Sequence, residues 1–137
     1  QAGMAFSNSS VALVHGMSRP IGAHFHVAHG LSNAMLLPKI TEFSIKGNEQ
    51  RYATCARVMK WAVESDNDEI ACSKLIKNLF ILNKDLKVPS PRNLGHSVDH
   101  DLLKLMASQA LASGSPENNP RVPTENQIIQ LYQEVWE

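Results

Sequence analysis

From residue 49 onward, apolar residues recur at helical spacing. Tyr52, Cys55, Ala56, Met59, Ala62 and Val63 fall on one face of an α-helix. The SDND run, Ser65 to Asp68, then predicts a cap, because acidic groups suit a helix N-terminus. The helix it opens carries Cys72, Leu75, Ile76, Leu79, Phe80 and Leu86. KVPSPRNLG, with two prolines and a glycine, predicts a loop. Ser97 caps a further helix with the stripe Val98, Leu102, Leu105, Met106 and Ala110, and Gly114 lies just beyond its end. Thr124 and Gln127 form a T-x-x-Q capping box ahead of a helix that buries Ile128, Leu131, Tyr132, Val135 and Trp136. No run alternates at period two. The pattern predicts an all-α fold, one domain over residues 1–137, with about five to seven helices in an irregular bundle.

The first forty residues read differently. AGMAFSNSSVALVHGMS is rich in Ala, Ser and Gly, which predicts a buried central helix with close backbone neighbours. That helix would carry both Phe6 and His15, about two and a half turns apart. RPIGAHFHVAHG, punctuated by Pro20, Gly22 and Gly30, predicts a turn or loop. LSNAMLLPKITEF resumes helix, with Pro38 giving a kink or a new start.

Bulk properties narrow the function classes. The formal net charge is zero, so there is no electrostatic case for a nucleic-acid partner. No segment approaches the ~18 apolar residues of a membrane span. QAGMAFSNSS has no basic stretch followed by an apolar block, so it does not read as a signal peptide. Cys55 and Cys72 show no CxxC spacing and read as reduced thiols of a cytoplasmic protein. A start at Gln1, without methionine, inside helix-compatible sequence, suggests a piece of a longer protein.

The chemistry concentrates in residues 11–38, which hold His15, His24, His26 and His29, four of six histidines. Three readings stand. All four can be cap and loop residues that satisfy backbone groups. His24, His26 and His29 can form a local metal cluster, with His24 and His26 on one side of an extended segment and Phe25 on the other. Or His15 and His29 can converge across the loop, leaving the other two as neighbours. Imidazoles are neutral ligands, and a catalytic dication usually also takes an anionic one. The chain has no carboxylate before Glu42, 13 residues past His29, so nothing local completes a site.

HGMSRPIGAHFHVAHGLSNAMLLP and the ending ASGSPENNPRVPTENQIIQLYQEVW resemble the C-terminal part of the iron-containing (group III) alcohol dehydrogenases, of the lactaldehyde reductase and 1,3-propanediol dehydrogenase kind. The resemblance spans the whole chain. It implies a helical metal-binding domain like that of dehydroquinate synthase. In the family an α/β domain that binds NAD(P) through a glycine-rich loop precedes it, and this chain has no G-x-G-x-x-G.

The resemblance also implies a ligand set. The family holds Fe²⁺, sometimes Zn²⁺, with an Asp, a His one turn later and two further His. The last two match His15 and His29, and the first pair has no match among these residues. Many members carry another histidine four residues after the first, suited to proton relay, and here that position is Arg19. An arginine is a poor general base. It can hold a carboxylate or phosphate oxygen, or simply favour a helix end through the macrodipole. Phe6 and Ser115, the latter in the SPENNPR loop, are candidates to line the substrate pocket. Ala28 replaces a usual proline with little expected consequence. The implied reaction interconverts small alcohols or diols with aldehydes or ketones, in a homo-oligomer, and these 137 residues alone should be inactive. The competing expectation is a stand-alone helical module that binds a metal or a partner without catalysis.

Overall fold

Leu13, Met17, Ile21, Leu36, Met106, Ile128 and Tyr132 are completely buried, and the elements that carry them define the core. The computed structural model describes the backbone of residues 1–137 and every side chain except those of Ala2 and Phe6. Among the described residues there are seven α-helices and no strand. They are α1 (Ala2–Ser9), α2 (Leu13–Phe25), α3 (His29–Ile45), α4 (Glu49–Val58), α5 (Asp68–Asp85), α6 (His100–Ala112) and α7 (Glu125–Trp136). Short 3₁₀ turns cover Arg92–Leu94 and Ser115–Asn118. The all-α bundle expected from periodicity is what forms. Among the described residues no helix is long and apolar enough to cross a membrane.

The main core joins α2, α3, α6 and α7. Each fully buried Leu, Ile or Met contributes about 1.5–3 kcal/mol. Tyr132 Oη, buried within this core, donates to the Met17 carbonyl at 2.7 Å, so burial leaves it satisfied. That burial drives the phenol pKa far above its ordinary value. A smaller cluster of Ala53, Ala56, Ala71, Cys72, Leu75 and Leu79 joins α4 to α5.

Side-chain caps set several boundaries. Asn67 Oδ1 accepts from the Ile70 amide and opens α5 at the SDND run, as the sequence predicts. Thr124 and Gln127 form both bonds of the predicted capping box. Gly114 sits past the end of α6 with φ of 71°, in the left-handed region that favours glycine.

Other boundaries differ from expectation. The small-residue segment is not one buried helix. α1 ends at Ser9, Ser10 takes φ of 58°, and the described α1 side chains are exposed. Small residues bury too little apolar area to draw a helix into a core. Phe6 and His15 therefore lie on different helices, and the Phe6 side chain lies outside the described residues.

RPIGAHFHVAHG is mostly helix. α2 continues through Pro20 to Phe25, because Met17, Pro20 and Ile21 are buried on its inner face. An interior proline costs about 3 kcal/mol, and burial of two large side chains offsets that. The same logic carries α3 through Pro38, itself buried.

α4 stops before Met59 and Val63, which are exposed. Lys60 takes φ of 59°, and the Trp61 amide donates to the Ala56 carbonyl at 2.9 Å, a Schellman cap built on lysine instead of glycine. At α6 the cap is Asp99 instead of Ser97, accepting from the Leu102 amide at 2.8 Å. Leu105 of the predicted stripe is exposed, while Leu103 and Ala107 turn inward.

Two stability predictions follow from contacts at element ends. Gly47 lies against the backbone of Pro120 and Arg121, and a Cβ there would sit 2.6 Å from the Arg121 nitrogen. Backbone atoms cannot give way cheaply, so Gly47→Ala should cost about 1–3 kcal/mol, read as a lower urea midpoint by circular dichroism.

Asp66 joins α4 to α5 by accepting from Lys74 Nζ at 2.6 Å and from the Val63 amide at 2.9 Å. The Lys74 bond, then the Val63 amide, hold its carboxyl below the ordinary value of 3.8. A depressed carboxylate pKa adds stability above the ordinary value, and this is lost as pH falls through the folded one. Asp66→Asn should thus lower the urea midpoint at neutral pH and flatten its decline at pH below 3.8.

Candidate metal centre

The path of α2 and the return after it place the histidines. α2 buries Leu13, Met17 and Ile21 inward, so at 100° per residue His15 and Arg19 fall on the opposite side. His26 takes φ of 55° and closes α2 in a left-handed turn. The chain then doubles back along α2. The Val27 carbonyl passes beside Gly22, where a Cβ would meet it at 3.3 Å. His29, the first residue of α3, reaches Ser18, whose Oγ lies 3.5 Å from His29 Nδ1. The rings of His15 and His29 stand 5.2 Å apart, centroid to centroid, at 53°.

The other two histidines do not join them. His24 lies inside α2, and its Nε2 is 2.9 Å from Gln109 Oε1, a bond that ties α2 to α6. His26 is the exposed turn residue. The expected extended segment with both rings on one side does not form, because His24 is helical. Among the described residues no group of three or more His, Cys, Asp or Glu side chains gathers at one point.

The donor set around the pair suits a cation. Desolvation, then the neighbouring His29 and Arg19, lower the His15 pKa, so its ring is neutral and free to donate a lone pair at physiological pH. Asn33, one turn along α3, brings Nδ2 to 3.1 Å from His29 Nε2. Its Oδ1 is buried with no hydrogen-bond partner. A buried acceptor without a donor is costly, and a cation or a bound hydroxyl would satisfy it. Asn33 and His15 also line one cavity of about 650 Å³, whose walls include Val11, Val14, Ala34 and Leu37. The sequence reading missed Asn33 and Ser18. The i, i+4 spacing of His29 and Asn33 would have marked Asn33 had α3 been started at His29.

Arg19 and Ser115 meet. The 3₁₀ turn at Ser115–Asn118 lies along α2 and is held at three levels. Asn118 Nδ2 donates to the Val11 carbonyl at 3.0 Å. Pro116 fits against Gly16, where a Cβ would come within 3.0 Å of its ring. Ser115 Oγ accepts from Arg19 Nη1 at 3.2 Å. Ser115 is 4% exposed, so it orients the guanidinium more than it faces open space. Arg19 is the seventh residue of the thirteen in α2. It sits mid-helix, and a helix-end preference does not account for it.

Comparison with known proteins identifies the lineage. A model of the Fe-containing alcohol dehydrogenase family, C-terminal, matches residues 1–136. The chain belongs to this family. It is 36% identical over 135 residues to lactaldehyde reductase of Escherichia coli (strain K12), covering 98% of this chain and 35% of that protein. It is 30% identical over 136 residues to 1,3-propanediol dehydrogenase of Klebsiella pneumoniae, with the same coverage of 98% and 35%. A crystal structure of a 1,3-propanediol oxidoreductase superposes with a TM-score of 0.90 at 30% identity, over 98% of this chain and 35% of that one. The chain thus spans about a third of the length of the curated relatives it matches.

Proposed function

We propose that this chain forms the metal-holding side of the catalytic cleft in an NAD(P)-linked alcohol dehydrogenase acting on small alcohols or diols and the matching aldehydes or ketones. The observation that carries this reading is the convergence of His15 and His29, with rings 5.2 Å apart, in a chain of the Fe-containing family. His15 and His29 would ligate Fe²⁺, or Zn²⁺, through neutral imidazole nitrogens. Such a metal supplies Lewis-acid polarisation of a substrate oxygen. The carboxylate and third imidazole of the family's ligand set, and most of the dinucleotide site, lie beyond these 137 residues in this reading.

The chain's own groups then have defined tasks. Ser18, beside Nδ1, fixes the ring plane of His29, and Nε2, which the Asn33 amide faces at 3.1 Å, is the nitrogen left for the metal once that amide gives way. Asn33 Oδ1 accepts a hydrogen bond from the incoming hydroxyl and helps to orient it. Val11, Val14, Ala34 and Leu37 give the alkyl part of a small alcohol an apolar wall and keep water from the reacting carbon.

Zinc titration of the 137-residue chain by calorimetry tests the ligand assignment. Two imidazoles alone should bind weakly, above the micromolar range, and His15→Ala or His29→Ala should abolish the heat. Sub-micromolar binding that survives His15→Ala sinks the assignment. In the iron-loaded full-length gene product, Ser18→Ala, which removes the partner of His29 Nδ1, should lower metal affinity about 10-fold, read as metal retained under competing chelator. A screen of small alcohols and diols with NAD and NADP on the same protein tests the activity.

A further inference from the structure

We infer that Arg19 is an anchor for a substrate carboxylate, so that the enzyme prefers short hydroxy acids to neutral diols of matching length. This inference rests on the dehydrogenase reading above. Arg19 follows His15 by one turn of α2, about 6 Å along the axis. Both occupy the outer side of that helix, because Leu13, Met17 and Ile21 are buried on the other.

Arg19 is exposed, and its side chain makes one hydrogen bond, from Nη1 to Ser115 Oγ. Among the described residues no carboxylate lies within ion-pair distance of it, whereas Arg57 and Lys74 each have one and Lys39 has two. Four of the five guanidinium N–H donors are therefore open, in a fork that matches a carboxylate. The fork is also preset. Ser115 is buried, its amide donates to Ser113 Oγ at 3.3 Å, and the turn is pinned to α2 at Gly16 and Val11. A preset donor loses little entropy on binding. An arginine at this place cannot take up a proton from the reaction, so its use is electrostatic.

In the reaction this implies, the carbinol carbon passes a hydride to the nicotinamide and the hydroxyl proton leaves to solvent. The C–H and O–H bonds break and a C=O bond forms. The substrate is oxidised by two electrons, NAD(P)⁺ is reduced, and the carboxylate is unchanged. The open donors suit any oxyanion, so a dinucleotide phosphate is the competing source.

The probes are 3-hydroxypropanoate and 1,3-propanediol, which differ at one end by a carboxylate. In the full-length, metal-loaded gene product, Arg19→Ala should lower the ratio of kcat/KM for acid over diol by about 10- to 100-fold, carried mainly by KM for the acid. Arg19→Lys should restore part of it. Calorimetry with the NAD(P)H-bound protein gives an independent readout: 3-hydroxypropanoate should bind the wild type and lose that heat in Arg19→Ala, at equal metal content. An unchanged ratio in Arg19→Ala overturns the inference. If the variant instead weakens NADH or NADPH binding by fluorescence titration, the oxyanion is the dinucleotide's and the inference is overturned in favour of that source. A wild type that oxidises the diol and neither binds nor oxidises the acid overturns this inference alone. One that oxidises neither probe nor any alcohol or diol of the screen overturns the dehydrogenase reading together with it.

Discussion

Everything at the centre depends on how α2 is held from its inner face. Leu13, Met17 and Ile21 have no exposure, and Tyr132 locks the same helix through the Met17 carbonyl. A helix fixed in rotation by three buried side chains and one buried hydrogen bond has no freedom in what it presents outward. His15 and Arg19 are set by that constraint before any ligand arrives. The rotation also explains why Pro20 does not end the helix, since its ring is part of the buried face. A loop in its place would lose the inner stripe and scatter the outer one.

Two returns of the chain complete the cleft on that helix. The left-handed turn at His26 brings α3 back so that His29 meets His15. The 3₁₀ turn at Ser115–Asn118 comes back much later in sequence and lies along the same helix. Gly16 matters here because a side chain would collide with Pro116 and lift the turn away. Ser115 would then lose Arg19. The ring pair and the guanidinium are thus positioned by packing, with few polar contacts between them. This suits the proposed role, in which the site would hold a cation and admit a substrate in succession.

The exposed positions show where this packing ends. Val58, Met59, Val63 and Leu86 stand out from the α4 and α5 ends. Both helices stop on a lysine in the left-handed region, Lys60 after α4 and Lys87 after α5. Lysine there carries a steric cost that glycine avoids. The Schellman bonds from Trp61 and Val88 offset it.

How much was legible from the chain depended on the range of the interaction. The all-α class, the Thr124–Gln127 box, the cap within SDND and the glycine after α6 are local, and each has its own residue signature. The pairing of His15 with His29 was legible as one of three arrangements, and the family resemblance favoured it. Sequence spacing could not do so, because 14 residues can turn back or run on. What the sequence hid was decided by partners far along the chain. A buried proline looks like a breaker until its neighbours are known. A lysine cap gives no glycine signal. Arg19 met Ser115 across 96 residues through the fit of Pro116 on Gly16. From residue 49 onward the residues determined which helices form, because capping and periodicity act within a few turns. The tertiary structure alone decided which side of α2 faces the cleft and what Arg19 is free to bind, because burial and close approach are properties of the packed whole.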